Sequence, residues 1–263
     1  MEKFLPVQGM SELLKIHFCC YEENIFPWIQ DDLTTPSWRF YWNKTPGGCL
    51  KVGNSIIPLV PEKFYVIPGY LQFSTFAETP FSQFYIHFNL SDRISLPQEI
   101  FTLDADPEII AVIEKFIARP QVWENCQLTH LTVVSVLGTS LLRLDEKLFT
   151  MPPEYDPAIE KVIGFIDRHL DKIYTNEYLA GIAGISRNGF IRSFAAQTGE
   201  SPQNYCRRKR IEKGCELLQF TDLSIDEIAE KTGFSDRFHF SRVFWKTVHT
   251  NPGAFRRQMR RRK

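Results

Sequence analysis

Two short stretches near the carboxyl end of the chain carry side chains that can read the edge of a nucleic-acid base. An arginine can form two hydrogen bonds with guanine, and an asparagine can form two with adenine. The side chains expected to face outward are Arg187, Asn188, Ile191 and Arg192 in the first stretch, and Arg237, His239 and Arg242 in the second. This chemistry needs an element that presents both stretches to a partner.

An internal repeat predicts that element. Leu179-Ala180 and Gly184-Ile185-Ser186 return 49 residues later as Ile228-Ala229 and Gly233-Phe234-Ser235. After one extra residue the offset becomes 50, and the recurring pairs are Phe190 and Phe240, Arg192 and Arg242, Phe194 and Phe244, Pro202 and Pro252, and Tyr205 and Phe255. Each copy is predicted to be a helix, a tight turn and a second helix.

The residue types at the matching positions suit a helix-turn-helix. Ala180 and Ala229 let two crossing helices approach closely, and Gly184 and Gly233 take a positive φ without steric cost. The predicted N-caps of the second helices are Ser186 and Ser235. The second helix of such a unit enters the major groove of DNA. The alternative is a purely structural hairpin of a solenoid, which needs three or more repeats.

Charge is distributed unevenly along the 263 residues. Basic and acidic residues number 31 each, but residues 1–150 hold 11 basic and 17 acidic residues, while residues 151–263 hold 20 and 14. The basic part suits a polyanion. Met151-Pro152-Pro153-Glu154 interrupts any helix, so we expect a linker there and two domains, 1–150 and 151–263.

Residues from about 157 to 257 resemble the DNA-binding domain of the AraC/XylS family of transcription regulators. The resemblance rests on GFSDRFHFSRVF at residues 233–244 and TNPGAFR at residues 250–256. It implies two helix-turn-helix units joined by a long helix, with both recognition helices in successive segments of the major groove. The family's base-reading positions fall on Asn188, Ile191, Arg192, Arg237, Phe238 and Arg242. Ile191 and Phe238 depart from the polar residues often found there, so they either contact a thymine methyl group or contribute nothing specific.

Further residues are candidates for contacts with DNA phosphates. The joining helix, predicted over about residues 203–220, carries a basic run, with Ile211, Cys215 and Leu218 facing inward, and six of the last eight residues of the chain are basic. The candidate phosphate contacts are Ser186, Ser235, Arg207, Arg208, Lys209, Lys246, Arg256 and Arg257. Such contacts add salt-sensitive affinity that does not depend on sequence. A solvated surface and a solubilising tail are the alternatives.

The amino-terminal part is strand-like from about residue 36 to residue 90. Runs rich in aromatic and β-branched residues at 38–42, 63–67 and 84–88 are separated by turn signals such as Pro46-Gly47-Gly48 and Pro68-Gly69. Short strands at this spacing favour a β-barrel or a sandwich. After Asp106-Pro107 the apolar residues recur at helical spacing, which predicts a helix.

A weaker resemblance covers this amino-terminal part. IPLVP at 57–61, FYVIPG at 64–69 and FYIHF at 84–88 are similar to the cupin-type sensor barrel often joined to this DNA-binding domain. The resemblance implies a small effector in the barrel, commonly a sugar. Aromatic rings stack on sugars, and Arg or His supplies directional hydrogen bonds, so the candidate ligand contacts are Arg39, Trp42, Tyr65, Tyr85 and His87. Packing in the core or rim of the barrel is the alternative.

A second predicted helix, from about Gln127 to Leu148, has an apolar stripe with heptad spacing. The stripe consists of Val134, Leu137, Leu141, Leu144 and Leu148. So narrow a seam needs only one partner helix, so it suits a dimer contact. Packing of the helix on its own barrel is the alternative.

Other classes of function are disfavoured. The six cysteines include no C-x-x-C pair, which argues against a zinc site or a disulfide framework. The amino-terminal half offers only His17, His87 and His130, without an H-x-H pair, a phosphate loop or a nucleophile elbow. We therefore expect no metal, no cofactor and no catalysis. With neither a secretory signal nor a membrane span predicted, we expect a cytoplasmic protein.

These patterns together predict an α+β protein. It would combine an N-terminal cupin-like β-barrel and helical dimerisation segment with a C-terminal all-α domain of two helix-turn-helix motifs. The predicted function is a transcription regulator that binds double-stranded DNA and a small-molecule effector as a homodimer, with RNA polymerase as a further candidate partner. Activation and repression stay open. The rivals are a cupin-type enzyme with a DNA-binding appendage, and a regulator whose first half binds a protein.

Overall fold

A computed structural model of the chain describes residues 14–90, 97–119, 126–145 and 155–260. The chain divides into two compact units, residues 1–152 and 153–263. None of the helices within the described ranges is long and apolar enough to cross a membrane. The linker predicted at residues 151–154 lies outside the described residues.

The described part of the amino-terminal unit contains nine strands in two antiparallel sheets. They are β1 (Leu14–Ile25), β2 (Gln30–Leu33), β3 (Trp38–Asn43), β4 (Gly48–Val52), β5 (Ser55–Pro58), β6 (Lys63–Ile67), β7 (Phe73–Ala77), β8 (Phe81–Leu90) and β9 (Phe101–Asp104). One sheet has the order β1-β8-β3-β6-β9, and the other has the order β2-β7-β4-β5. The three aromatic runs predicted as strands lie in β3, β6 and β8.

The closed barrel predicted for this unit is wrong. The two sheets are separate, with β1 and β9 at the edges of one and β2 and β5 at the edges of the other. Turn signals indicate how often the chain reverses. They do not record which edges pair, because that depends on contacts between residues far apart in the sequence.

The five-stranded sheet has one apolar face and one polar face. On the apolar face, residues such as Phe40, Phe64 and Ile86 pack in one core with helices α1 (Pro107–Ile117) and α2 (Cys126–Leu141). Successive side chains of a strand point to opposite faces. Arg39, Tyr41 and Asn43 therefore lie on the other face of β3, which is directed toward the four-stranded sheet.

Helices α1 and α2 cover the apolar face. Helix α1 begins as predicted, because Asp106 accepts a hydrogen bond from the backbone N–H of Glu108 at 2.8 Å, and Pro107 follows it. In and just after α2, Leu137, Leu141 and Leu144 are buried in the same core. Three members of the predicted dimer seam are therefore used inside the unit, as the alternative interpretation held, whereas a fourth member, Val134, is exposed. Leu148 lies outside the described residues.

Seven helices form the described part of the second unit, residues 155–260. They are α3 (Pro157–Arg168), α4 (Asn176–Ala183), α5 (Arg187–Thr198), α6 (Pro202–Phe220), α7 (Ile225–Lys231), α8 (Arg237–Val248) and α9 (Pro252–Arg260). Side-chain hydrogen bonds cap five of these helices, at Asp156, Thr175, Ser186, Ser201 and Ser224, and the cap at Ser186 confirms its prediction. Ser224 and Glu227 form the reciprocal capping box. Local sequence signals therefore determine most helix starts here.

The two turns have the geometry that their residue types predict. Gly184 and Gly233 both have φ of +70°, a conformation that glycine adopts without steric cost. Ala180 and Ala229 are both buried, as a close approach of the two helices requires. At Gly233 there is a second reason for glycine, because a Cβ there would lie 2.6 Å from the carbonyl oxygen of Leu170 and the turn has no room for a side chain.

Candidate functional site

The first helix-turn-helix consists of α4 and α5. Phe190 and Phe194 are fully buried, and their rings lie 5.5 Å apart, so they fix α5 in the core of the unit. Arg187, Asn188 and Arg192 are exposed, as predicted. Ile191 is half-buried and packs against the core, which leaves only part of its side chain accessible to a base.

The second helix-turn-helix consists of α7 and α8, and it begins its recognition helix differently. The predicted cap Ser235 is wrong. Asp236 is the N-cap, and its carboxylate accepts hydrogen bonds from the backbone N–H groups of Phe238 and His239 at 2.8 and 2.7 Å. The extra residue that changes the repeat offset from 49 to 50 thus lies between the turn and the helix.

The surface of α8 carries the second set of predicted base contacts. Arg237 and Arg242 are exposed, and Phe238 is 71% exposed. His239 is half-buried, with its ring 5.3 Å from that of Phe234 and its Nδ1 3.2 Å from the Ser235 hydroxyl. Three of the four predicted side chains of this helix are therefore exposed, and His239 is partly engaged within the unit.

Two of the exposed arginines form ion pairs that the sequence interpretation did not include. The Arg187 Nε lies 2.5 Å from a Glu177 carboxylate oxygen, and the Arg237 Nη1 lies 3.6 Å from an Asp226 carboxylate oxygen. The pKa of Glu177 lies below its usual value, chiefly because its carboxylate accepts a backbone hydrogen bond, and the charge of Arg187 lowers it further. Glu177 and Asp226 are themselves 49 residues apart, which is the offset of the repeat. The repeat in the sequence could therefore have indicated both carboxylates as partners of the two arginines.

The basic run on the joining helix α6 is largely occupied within the unit. Arg208 forms ion pairs with Glu200 at 2.7 Å and Glu212 at 2.9 Å, and Lys209 approaches Glu212 at 3.5 Å. Arg207 is exposed and donates to Asn204. Arg207 is thus the most accessible of the three predicted phosphate contacts on this helix.

The remaining phosphate candidates differ in accessibility. Ser186, Ser235, Lys246 and Arg257 are exposed. Arg256 is half-buried and donates to the carbonyl oxygen of Leu223, so it ties α9 to the loop before α7. The side chain of Arg260 and residues 261–263 lie outside the described part, so the basic tail stays a prediction.

The polar face of the five-stranded sheet brings together four of the five predicted ligand contacts. Arg39 pairs with His87 across β3 and β8, and Tyr41 pairs with Tyr85 on β8 and with Tyr65 on β6. The side chains of all five predicted ligand contacts are buried. Tyr41 was not predicted, although the alternation of side chains along β3 places it beside Arg39.

The contacts of Arg39 and Tyr65 show that this face is directed toward the four-stranded sheet. The Arg39 guanidinium lies 5.1 Å from the ring centroid of Phe73 on β7. Tyr85 donates to the Glu22 carboxylate, and Tyr65 donates to the carbonyl oxygen of Pro58 at 2.8 Å. The Tyr41 hydroxyl has no hydrogen-bond partner within the described residues.

Trp42 lies on the opposite, helix-covered face of the sheet. Its side chain is buried in the apolar core, and its indole Nε1 donates to the carbonyl oxygen of Pro61 at 3.0 Å. Three positions separate Trp42 from Arg39, so the period of two already places them on different faces. The structure does not bring Trp42 together with the other four candidates. Within the described residues, no group of three or more His, Cys, Asp or Glu side chains is placed to hold a metal ion.

Comparisons with known proteins match both units. Residues 179–258 match a family model described as a helix-turn-helix domain. The C-terminal domain of AraT, a response regulator from Geobacillus stearothermophilus, is 30% identical and covers 40% of this chain and 87% of that domain, with a TM-score of 0.39. The chain belongs to the AraC/XylS family.

Two further relatives cover more of this AraC/XylS chain. The HTH-type transcriptional activator Btr from Bacillus subtilis (strain 168) is 28% identical over 231 residues, 82% of this chain. The chain spans only 43% of the length of Btr. A structure of wild-type ToxT from Vibrio cholerae with bound unsaturated fatty acid is 13% identical, covers 93% of this chain and 94% of ToxT, and has a TM-score of 0.56. That likeness shows a shared fold of a β-rich amino-terminal part and a helical carboxyl-terminal part.

Proposed function

We propose that this AraC/XylS-family chain is a transcription regulator that reads double-stranded DNA with α5 and α8. The observation that carries the proposal is the division of each recognition helix into a buried phenylalanine pair and an exposed arginine surface. In the second unit, Phe240 and Phe244 anchor the helix while Arg242 stays accessible. Arginine on the exposed face of a recognition helix suits bidentate contact with guanine.

Selection of bound fragments from a genomic library tests this proposal. We expect the full chain to enrich fragments that share one sequence, with two half-sites about one helical turn apart. Enrichment should weaken when Arg192 and Arg242 are both replaced by alanine. If the wild-type chain binds no duplex in 50 mM salt, or enriches no sequence, the proposal is wrong.

We also propose that a small molecule binds between the two sheets of the amino-terminal unit. The polar face of β3, β6 and β8 supports this, because Arg39, Tyr41, Tyr65, Tyr85 and His87 together offer aromatic faces and hydrogen-bonding groups in a buried setting. These groups suit a sugar, the effector class inferred from the sequence. The fatty acid bound to ToxT is the second candidate class, supported by the shared fold.

Thermal unfolding in the presence of sugars and of unsaturated fatty acids separates the two classes. A ligand at 100 times its Kd stabilises the folded chain by about 2.7 kcal/mol, which raises Tm measurably. Tyr41→Phe removes only the hydroxyl and should weaken stabilisation by a sugar. Trp42→Phe, on the opposite face, is the matched control. If neither class raises Tm, this part of the proposal fails and the protein-binding alternative gains support.

We further propose that the chain acts as a dimer through the exposed side of α2. This 16-residue helix contains no Asp, Glu, Lys or Arg, and Leu128, Leu131 and Val134 are exposed on it, with Leu142 just beyond its end. Large apolar side chains that cluster on an exposed helix surface often mark a contact with another protein chain. Leu131→Asp should convert a dimer to a monomer in sedimentation equilibrium, whereas Ser55→Asp, at an exposed position on β5 of the other sheet, serves as the control.

The remaining parts of the proposal concern the protein as a whole. We propose a cytoplasmic regulator without enzymatic activity, in which the effector favours one of two arrangements with different affinities for DNA. The name of Btr as an activator supports activation, with RNA polymerase as the candidate partner. In vitro transcription from a selected DNA site, with and without the stabilising ligand, tests this step.

A further inference from the structure

Each helix-turn-helix unit contains one ion pair that joins its two helices. Arg187 is the first residue of α5, and its partner Glu177 lies in the first turn of α4. Arg237 is the first residue of α8, and its partner Asp226 lies in the first turn of α7. The same pair thus occurs at matching positions of both repeats.

The second arginine of each recognition helix differs from the first. Arg192 and Arg242 are exposed, and the described residues provide no ion-pair partner for either of them. Arg187 and Arg237, in contrast, are held by their ion pairs with Glu177 and Asp226. Arg237 has a second contact as well, since its guanidinium lies 4.8 Å from the centroid of the Phe238 ring. Each unit therefore presents one accessible and one restrained guanidinium.

The exposure of these ion pairs indicates that stabilising the fold is not their main effect. The side chains of all four partners are more than half exposed, between 52% and 65%. Pairs in such a setting contribute little to stability, because water screens them and two long side chains lose freedom. They lie at the amino-terminal end of the recognition helix, which is the end that contacts base edges. This location points to an effect on DNA binding.

We propose that Glu177 and Asp226 are specificity-determining residues that lower the affinity of the domain for random DNA. The inference rests on the proposed function. An arginine can contact any phosphate, and contacts of this kind supply the affinity that does not depend on sequence. A carboxylate beside the arginine competes with phosphate for the guanidinium and also repels the phosphate. The base edge of guanine is neutral, so the carboxylate does not repel it and its two directed hydrogen bonds with the arginine can still form, whereas a phosphate at a random site meets the repulsion.

Neutral amide variants of the full chain test this role directly. Glu177→Gln and Asp226→Asn keep the shape of each side chain and remove its charge. We expect each to raise the affinity for a duplex of mixed sequence about three- to fivefold, as for the loss of one exposed charge interaction. The double variant should gain about tenfold or more. Fluorescence anisotropy at several salt concentrations measures the affinity.

Two comparisons show whether the ion pair itself is responsible. Glu230→Gln removes the same charge one turn further along α7, where the described residues give Glu230 no ion pair, and it should have a smaller effect. In an Arg187→Gln background, Glu177→Gln should lose most of its gain, because no guanidinium is left to release. An equal gain from Glu230→Gln, or a full gain without Arg187, would overturn the assigned role.

The remaining outcomes separate this inference from the proposed function. If the wild-type chain binds the mixed-sequence duplex but Glu177→Gln and Asp226→Asn leave the affinity unchanged or lower it, the inference is wrong and the proposed function stands. A fall in affinity would instead indicate that the carboxylates position the arginines for contact. If the wild-type chain binds no duplex in 50 mM salt, the proposed function itself fails.

Discussion

The two helix-turn-helix units share their interior and differ at their surface. Phe190 and Phe194 in the first unit correspond to Phe240 and Phe244 in the second, and all four are fully buried. On the exposed side, Asn188 corresponds to Phe238. The comparison shows that the same residues pack the interior of both copies, whereas the exposed surface proposed to read DNA differs between them.

The difference extends beyond the base-reading positions. Trp245 is 57% exposed on α8, seven residues after Phe238 and three after Arg242, where α5 has the small Ala195. Residues spaced by three and by seven lie on one side of a helix. The second helix therefore presents a larger apolar surface in line with its arginine. Under the proposed function, the two helices would contact different DNA segments.

The largest expected effect concerns the shared interior. Phe194→Ala should reduce the free energy of unfolding of the carboxyl-terminal unit, residues 153–263, by about 3–5 kcal/mol, because the cavity cannot close fully. The ring lies 5.5 Å from both Phe190 and Tyr205. Urea unfolding measures the change. Arg192→Ala, two residues away and exposed, is the control and should change the free energy of unfolding by less than about 0.5 kcal/mol. A loss as large as that of Phe194→Ala would mean that the exposed arginine also supports the packing of the interior.

The next effect concerns the reading surface. Arg242→Ala should weaken binding to a selected DNA site by about 1–3 kcal/mol and relax base preference at one position. Lys246→Ala should weaken binding to all sequences alike and reduce the salt slope by about one. Anisotropy titrations with selected and mixed-sequence duplexes measure both. Equal losses on the two duplexes for Arg242→Ala would contradict its assigned contact with a base.

Local sequence signals made the carboxyl-terminal unit more predictable than the amino-terminal unit. An N-cap involves residues only two or three positions apart, so Asp156, Thr175 and Ser224 could be predicted from the sequence alone. Ser235 was the exception, because the next residue, Asp236, also caps well and the helix begins after the stronger pair of hydrogen bonds. The recognition surface followed from the repeat, since buried and exposed positions recur together.

The amino-terminal unit depends on contacts that local patterns do not contain. The strands at β3, β6 and β8 were predictable from their composition, but the separation of the two sheets was not. Within β3, simple alternation would have separated Trp42 from Arg39 and added Tyr41 to the candidate site. The heptad stripe of α2 could pack on its own sheet or on another chain, and only the fold decides that Leu137 and Leu141 pack inside the unit.

The different N-caps of the two recognition helices permit a smaller and sharper test. Ser186 accepts a hydrogen bond from the backbone N–H of Gly189, whereas Ser235 caps no helix. Ser186→Ala should therefore cost about 1 kcal/mol of unfolding free energy, and Ser235→Ala should cost clearly less. Thermal unfolding of the two variants measures the difference. Equal losses would mean that Ser235 supports its helix in another way.

The smallest effect depends on pH and on the second cap alone. The pKa of Asp236 lies below its usual value, chiefly because the carboxylate accepts a hydrogen bond from the backbone N–H of His239, with further bonds from the Ser235 hydroxyl and the backbone N–H of Phe238. A lowered pKa in the folded state means that the stabilisation is present above the unfolded-state pKa of about 3.9 and is lost as the pH falls through the folded-state pKa.

Acidification from pH 5 to pH 3 should therefore reduce hydrogen-exchange protection at the start of α8 more than at the start of α5, where the cap Ser186 does not titrate. Asp236→Ser should remove this difference, because both helices would then carry a serine cap. If the difference persisted in Asp236→Ser, other carboxylates would be its cause.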